Sequence, residues 1–103
     1  WIGMATPGAD GQVQTLLQVL CRWGAQRAGL AAAVEAPRWR SQEGAVLIED
    51  GHPSLDDLCR LGHRLQRRRA GDDIFGGVVI AGFDGEAPVA GADWRRQVWS
   101  GVV

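Results

Sequence analysis

WIGMATPGADGQVQTLLQVL, residues Trp1 to Leu20, decides how the chain is organised. Trp1 to Ala5 is short and apolar and is bounded by Thr6-Pro7-Gly8, which fits the end of a buried strand entering a turn. From Gln12 the apolar residues Val13, Leu16, Leu17 and Leu20 recur at helical intervals, with Asp10 available as N-cap and Gly24 beyond the last of them. The strand is expected to begin upstream, and Trp1 reads as an excision point, because the one Met stands at position 4 and no targeting segment precedes it.

Working outward, Leu30 to Ala36 is Ala-rich and is stopped by Pro37, whose ring disfavours helical geometry in the residue before it, so a short second helix is expected there. Ala45-Val46-Leu47-Ile48, between Gly44 and Glu49-Asp50-Gly51, has the length and punctuation of a strand. Ser54 precedes Leu55, Leu58 and Leu61, with Asp56 and Asp57 in the first turn and Gly62 where a left-handed residue after the helix belongs. His63 to Arg69 then reads as extended, with a helix continued through Arg67-Arg68-Arg69 as the competitor; in either case these arginines form a solvated face. Phe75 to Phe83 holds the strongest strand signal, Val78-Val79-Ile80, and Asp84-Gly85 turns it into Pro88-Val89-Ala90 as an antiparallel hairpin. The order strand, helix, helix, strand, helix, strand, strand predicts a mixed α/β (α+β) layer arrangement over residues 1–103, with no internal domain boundary.

Composition excludes several classes of function. A net charge of -1, from eleven basic and twelve acidic residues, gives no general attraction for polyanions, so nucleic acid is not an expected partner. No apolar run approaches the ~20 residues that cross a bilayer. Every basic residue is Arg, and Lys, Asn and Tyr are absent, which points to GC-rich codons rather than selected guanidinium chemistry. Cys21 and Cys59 lack metal-type spacing and read as small buried thiols that stay unbridged.

Several residues invite a chemical reading and are better explained structurally. His52 with Glu49 and Asp50 sits in a Gly-Pro turn with no second His at ligand spacing, so it reads as a solvated loop rather than a metal site. His63, directly after a helix-ending Gly, has no nucleophile positioned beside it by any motif. Asp72 and Asp73 are adjacent and point in different directions, as in a polar turn. Trp94 and Trp99, near Arg95 and Arg96, could stack as an exposed cation-π surface, but burial against a further part of the fold explains them more simply. The turn Thr6 to Gly11 differs from these: free backbone N–H groups and the helix dipole converge there, Pro7 stiffens the approach, and Gly8 admits a substrate close to the backbone. An anion or a developing oxyanion could bind at that point.

The chain resembles the gamma-glutamyltransferase family at several separate places in the right order. Trp1 to Gln14 is similar to that family's strand, Thr/Ser-Pro-Gly-Gly turn and helix. Ala33-Val34-Glu35-Ala36-Pro37-Arg38-Trp39 resembles its Ala-Val-Glu-Ala-Pro-Arg-aromatic signature, which is the most specific match. Leu61-Gly62-His63-Arg64 resembles its Leu-Gly-His segment, Phe75-Gly76-Gly77-Val78 its glycine pair, and Gly91-Ala92-Asp93 its closing Gly-Ala-Asp-Pro-Arg. Trp94 departs from the closing Pro, the segment after Trp39 is short for the family, and Ala9 stands where the family has its second glycine.

The resemblance implies the C-terminal part of an N-terminal nucleophile hydrolase with a four-layer αββα sandwich, a self-cleaving enzyme that takes no metal or organic cofactor. It implies a Thr nucleophile outside this chain, since Thr6 and Thr15 already belong to the turn and helix, and it implies Gly8 and Ala9 as the two backbone oxyanion donors. The implied partners are the remainder of the same polypeptide, or a large subunit, and a small gamma-glutamyl substrate of the glutathione type. A non-catalytic remnant, a partner-binding domain, or a relative acting on another small amide are the alternatives. Ala9 keeps the N–H but disfavours positive φ by ~1 kcal/mol or more.

Overall fold

The structure, a computed structural model, describes residues 1–96. Its elements are β1 (Ile2–Ala5), α1 (Gln12–Leu20), α2 (Leu30–Glu35), β2 (Trp39–Gln42), β3 (Ala45–Glu49), α3 (Leu55–Arg60), β4 (Leu65–Arg68), β5 (Val79–Phe83) and β6 (Pro88–Ala92). A 3₁₀ turn at Ala9–Gly11 leads into α1, a π-helical turn at Cys21–Ala25 prolongs it, and a second 3₁₀ turn at Asp73–Phe75 precedes β5. The strands make two three-stranded sheets, β1-β5-β6 and β2-β3-β4. The first is antiparallel throughout, whereas in the second β3 pairs antiparallel with β2 and parallel with β4. The fold is mixed α+β, as expected.

The predicted elements recur, with one open reading settled and two differences that have physical reasons. β4 settles the open reading of His63 to Arg69 in favour of an extended segment, because its register against β3 pairs Val46 with Leu65 and Glu49 with Arg68. β5 starts only at Val79, since Phe75 ends a 3₁₀ turn and Gly76 has φ 91. β2 was not expected at all: Trp39 to Gln42 is polar, and its strand character comes from partners distant in sequence.

Those partners are two glutamines one helical turn apart on α1. Gln14 accepts from Ser41 N at 2.7 Å and donates to Ser41 O at 3.1 Å. Gln18 does the same with Trp39, accepting at 3.0 Å and donating at 2.8 Å. Side-chain amides thus take the place of a neighbouring strand along one edge of β2, while β3 occupies the other.

Of the four apolar residues that mark α1 in the sequence, Leu16 is half-buried and the other three lie outside. Val13 is 77% exposed, Leu17 54% and Leu20 48%, whereas Thr15, Gln18 and Val19 are buried. The core against β1 and β5 consists of Val19, Ala33, Val34, Val78 and Ile80, bordered by Ile2, Met4, Ala28 and Leu30. Helical spacing alone cannot say which of two stripes turns inward. Asp10 is likewise not the N-cap of α1, because the 3₁₀ turn winds the chain one residue further and leaves Gly11 in that position without a side-chain cap.

α2 stops where Ala36 adopts ψ 147 ahead of Pro37. α3 closes through Gly62, with Gly62 N donating to Cys59 O at 3.1 Å and His63 N to Leu58 O at 3.1 Å, the paired bonds of a Schellman motif. Ser54 occupies the N-cap of α3, yet its side chain makes no cap; its N–H donates to His52 Nδ1 at 3.0 Å. Cys21 and Cys59 are free, as expected, but exposed rather than buried.

A buried ionic cluster joins the two sheets. Arg38, Glu49, Asp93 and Arg95 are all buried side chains. Glu49, at the end of β3, accepts from Arg38 N at 2.7 Å, from Gly71 N at 2.8 Å and from Arg95 Nη2 at 2.6 Å. Asp93, just after β6, pairs with Arg38 at 2.6 Å and Arg95 at 2.9 Å. Both guanidiniums also donate to Val34 O near the C-terminus of α2, Arg38 at 2.8 Å and Arg95 at 3.0 Å. Two cations and two anions cancel, which burial of this depth requires. Glu49 is therefore not a solvated loop residue, and no group of three or more His, Cys, Asp and Glu capable of holding a metal occurs among the described residues.

Candidate functional site

The turn expected to bind an anion lies between β1 and α1. Gly8 has φ 128 and Ala9 φ 47, both in the region that L side chains avoid. Gly11 N donates to Gly8 O at 2.8 Å and closes the turn. Among the described residues neither Gly8 N nor Ala9 N finds an acceptor. A Cβ built on Gly8 would meet nothing within 4 Å, so no other part of the chain crowds Gly8 on that side.

The surroundings hold the turn from three directions. Thr6, buried, accepts from Gly77 N at 3.0 Å and donates to Pro7 O at 2.9 Å. Thr15 from α1 donates to Phe75 O at 3.3 Å, and Arg38 Nη1 donates to the same oxygen at 2.9 Å. Gly76 fills the gap between these threonines: a Cβ there would lie 2.6 Å from Thr6 Oγ1 and 3.2 Å from Thr15 Cγ2. Gly77 is crowded as well, with Arg96 Cδ 2.6 Å from a Cβ built on it. Of the glycine pair noted in the sequence, Gly76 is thus a packing requirement of the turn, whereas Gly77 makes room for Arg96.

The third support is Arg40 on β2, which sequence reasoning missed. Its Nη1 lies 3.4 Å from Gly8 O and 3.3 Å from Ile74 O, and a Cβ on Gly11 would approach that guanidinium to 2.7 Å. The only trace in the sequence is its place two residues after Arg38, and without β2 that place has no structural meaning.

The other candidates take no part in this site. His52 is half-buried; burial, together with the charge of Arg22 and against that of Glu49, lowers its pKa, consistent with a neutral ring accepting at Nδ1. His63 is exposed. Asp72 caps the 3₁₀ turn through Ile74 N at 3.0 Å and pairs with Arg68 at 3.0 Å, while Asp73 is exposed, as a polar turn requires. Arg95 stacks over Trp94 at 5.4 Å, and the Trp94 ring fits against Gly71, where a Cβ would come within 2.6 Å of it. Trp94 remains exposed, and Trp99 lies outside the described residues.

The buried cluster below shows the cost of its own charges. Burial, followed by repulsion from Arg95, lowers the Arg38 pKa to about 10 despite its contact with Asp93, so it stays charged at neutral pH. Burial alone would raise Asp93, yet the charge of Arg38 and the N–H groups of Val78 and Arg95 hold it below the ordinary carboxylate range.

No protein-family model matches the chain, and no curated protein matches it by sequence. Solved structures do. A highly active mutant of the gamma-glutamyltranspeptidase from Pseudomonas nitroreducens superposes with a TM-score of 0.83 at 23% identity, over 99% of this chain and 55% of that one. An acivicin-inhibited gamma-glutamyltranspeptidase gives 0.77 at 22%, over 95% and 55%. The Bacillus anthracis transpeptidase CapD gives 0.80 at 22%, over 98% and 63%. The chain thus spans 55 to 63% of the length of these three structures, and its fold is that of the C-terminal part of gamma-glutamyltranspeptidases.

Proposed function

We propose that the chain is the C-terminal part of an enzyme that hydrolyses or transfers gamma-glutamyl groups from small glutathione-like amides, with Gly8 and Ala9 as the two donors of its oxyanion hole. The observation that carries this reading is the turn itself: successive residues at φ 128 and φ 47, with both N–H groups lacking an internal acceptor among the described residues. The helix behind it adds a positive end to the same point.

In the reaction a Thr hydroxyl, supplied from elsewhere in the polypeptide, attacks the gamma-carbonyl carbon and passes its proton to the Thr amine. The carbonyl π pair moves onto oxygen, where the Gly8 and Ala9 donors hold it. Collapse of that intermediate expels the amine, which takes the proton and leaves a gamma-glutamyl ester on Thr. Water or a second amine then attacks the ester and returns the hydroxyl.

The remainder of the polypeptide is the partner that the exposed apolar faces fit. Val13, Leu17 and Leu20 line the outside of α1, and Val79 and Phe83 stand exposed on β5. For the acivicin-inhibited neighbour, the C-terminus has critical roles in autoprocessing and catalysis; the same dependence is proposed here.

The test compares the complete gene product with the isolated chain on a gamma-glutamyl anilide. Release of the aniline by the complete product, with none from the purified chain alone, is the expected result. Turnover by the isolated chain refutes the separate nucleophile, and inactivity of a folded complete product favours a non-catalytic remnant.

A further inference from the structure

The proposed oxyanion donors carry a feature that the turn alone does not explain. Gly8 O and Ala9 N belong to one peptide group, so whatever binds the oxygen polarises the N–H on the other side. That oxygen accepts twice: from Gly11 N at 2.8 Å, and more loosely from Arg40 Nη1 at 3.4 Å. The second donor is a cation, half-buried on β2, with its Nε buried and unpartnered. No carboxylate pairs with Arg40 among the described residues, so its charge is not cancelled within the turn.

We infer that Arg40 is a positioning residue of the oxyanion hole, placing a positive charge behind the Gly8–Ala9 peptide so that Ala9 N–H becomes a stronger donor as negative charge develops. The inference rests on the oxyanion reading of the turn. Three observations carry it. Arg40 bridges Gly8 O and Ile74 O, so it fixes the turn against the loop that precedes β5. Gly11 leaves the room its guanidinium needs, because a Cβ there would come within 2.7 Å of Nη1. The amides of Gln14 and Gln18 hold β2, and with it the Arg40 backbone, against α1. At 3.3 and 3.4 Å the contacts are long for hydrogen bonds, and their effect is mainly that of a nearby charge in a poorly solvated place.

The experiment measures kcat and KM on the gamma-glutamyl anilide for Arg40→Gln, Arg40→Lys and Gly8→Val in the complete gene product, with thermal melts alongside. Arg40→Gln should lower kcat on the order of tenfold with KM nearly unchanged, and Arg40→Lys, which keeps a cation, should recover most of that loss. A loss of kcat in Gly8→Val with Arg40→Gln like the parent leaves the oxyanion hole standing and overturns the role of Arg40. If neither variant changes kcat, the oxyanion reading fails and Arg40 falls with it. A higher KM at unchanged kcat for Arg40→Gln, or Arg40→Lys as poor as Arg40→Gln, also overturns the inference, by making Arg40 a substrate contact or a packing residue. Should Arg40→Gln not fold, Arg40→His replaces it, since a histidine charge is lost over about pH 6 to 8. Its kcat relative to the parent must then fall through that range, and a constant ratio counts against the inference.

Discussion

Arg38 Nη1 lies 2.6 Å from Asp93 Oδ2, and neither side chain is exposed to solvent. The pair links the segment after α2 to the segment after β6, and through Arg95 and Glu49 it reaches the end of β3, so one electroneutral cluster fastens both sheets. Asp93→Asn keeps the shape and leaves two guanidiniums facing one carboxylate. Breaking a buried pair in this way costs about 3–5 kcal/mol, and the denaturant midpoint of the variant should fall accordingly. A midpoint equal to the parent's would mean that the cluster does not join the sheets.

The same cluster sets the response to acid. Although burial pushes Asp93 up, Arg38 and two backbone N–H groups bring its pKa below 3.8; Asp72 is also lowered, by Ile74 N and Arg68 against burial. A carboxyl whose folded pKa is depressed contributes stability above its unfolded value and loses it as pH falls through the folded one. Melting temperature should therefore hold from neutral pH down to the carboxylate range and drop below it. The drop should be shallower in Asp93→Asn, where one of the responsible groups is gone.

Gly76 is the position least tolerant of a side chain near the turn. With φ 91 and a Cβ only 2.6 Å from Thr6 Oγ1, Gly76→Ala combines backbone strain with a clash against a buried hydroxyl. A loss of about 2–4 kcal/mol is expected from the two effects together. Gly24→Ala serves as the control, since a Cβ there meets nothing within 4 Å and φ is not left-handed. Equal melting temperatures for the two variants would contradict this packing.

Much of the fold was legible because its signals are local. The β5–β6 hairpin follows from Val78-Val79-Ile80 and Asp84-Gly85, whose aspartate accepts from Glu86 N at 2.8 Å and Ala87 N at 2.9 Å. The end of α2 follows from Pro37, and the end of α3 from Gly62. The hidden parts are those made by distant partners. β2 depends on glutamines of α1, and the inward stripe of α1 is Thr15, Gln18 and Val19 because those side chains meet Phe75 O, Trp39 and the core. The apolar periodicity located α1 but not its inward face: Val13, Leu17 and Leu20 lie outside, and Leu16 is half-buried. Arginine abundance, read as a codon effect, conceals residues with specific work: Arg38 and Arg95 in the buried cluster and Arg40 behind the turn. At the site the turn was legible from Pro7 and Gly8, whereas Arg40 was not, since nothing near it in sequence marks its target.

If the Gly8–Ala9 turn stabilises an oxyanion, Gly8→Val in the complete gene product must lose turnover. Valine at φ 128 cannot keep the turn, so a donor is lost where charge develops in the transition state. Losing one such donor costs ~3 kcal/mol, which lowers kcat by on the order of a hundredfold or more while KM changes little. Ala9→Gly, measured in parallel, relieves ~1 kcal/mol of left-handed strain and should leave kcat equal or higher. Circular dichroism establishes that both variants keep the fold. The expected result is a large, kcat-centred loss for Gly8→Val and none for Ala9→Gly; a folded Gly8→Val that turns over like the parent would show that this turn is not the oxyanion hole.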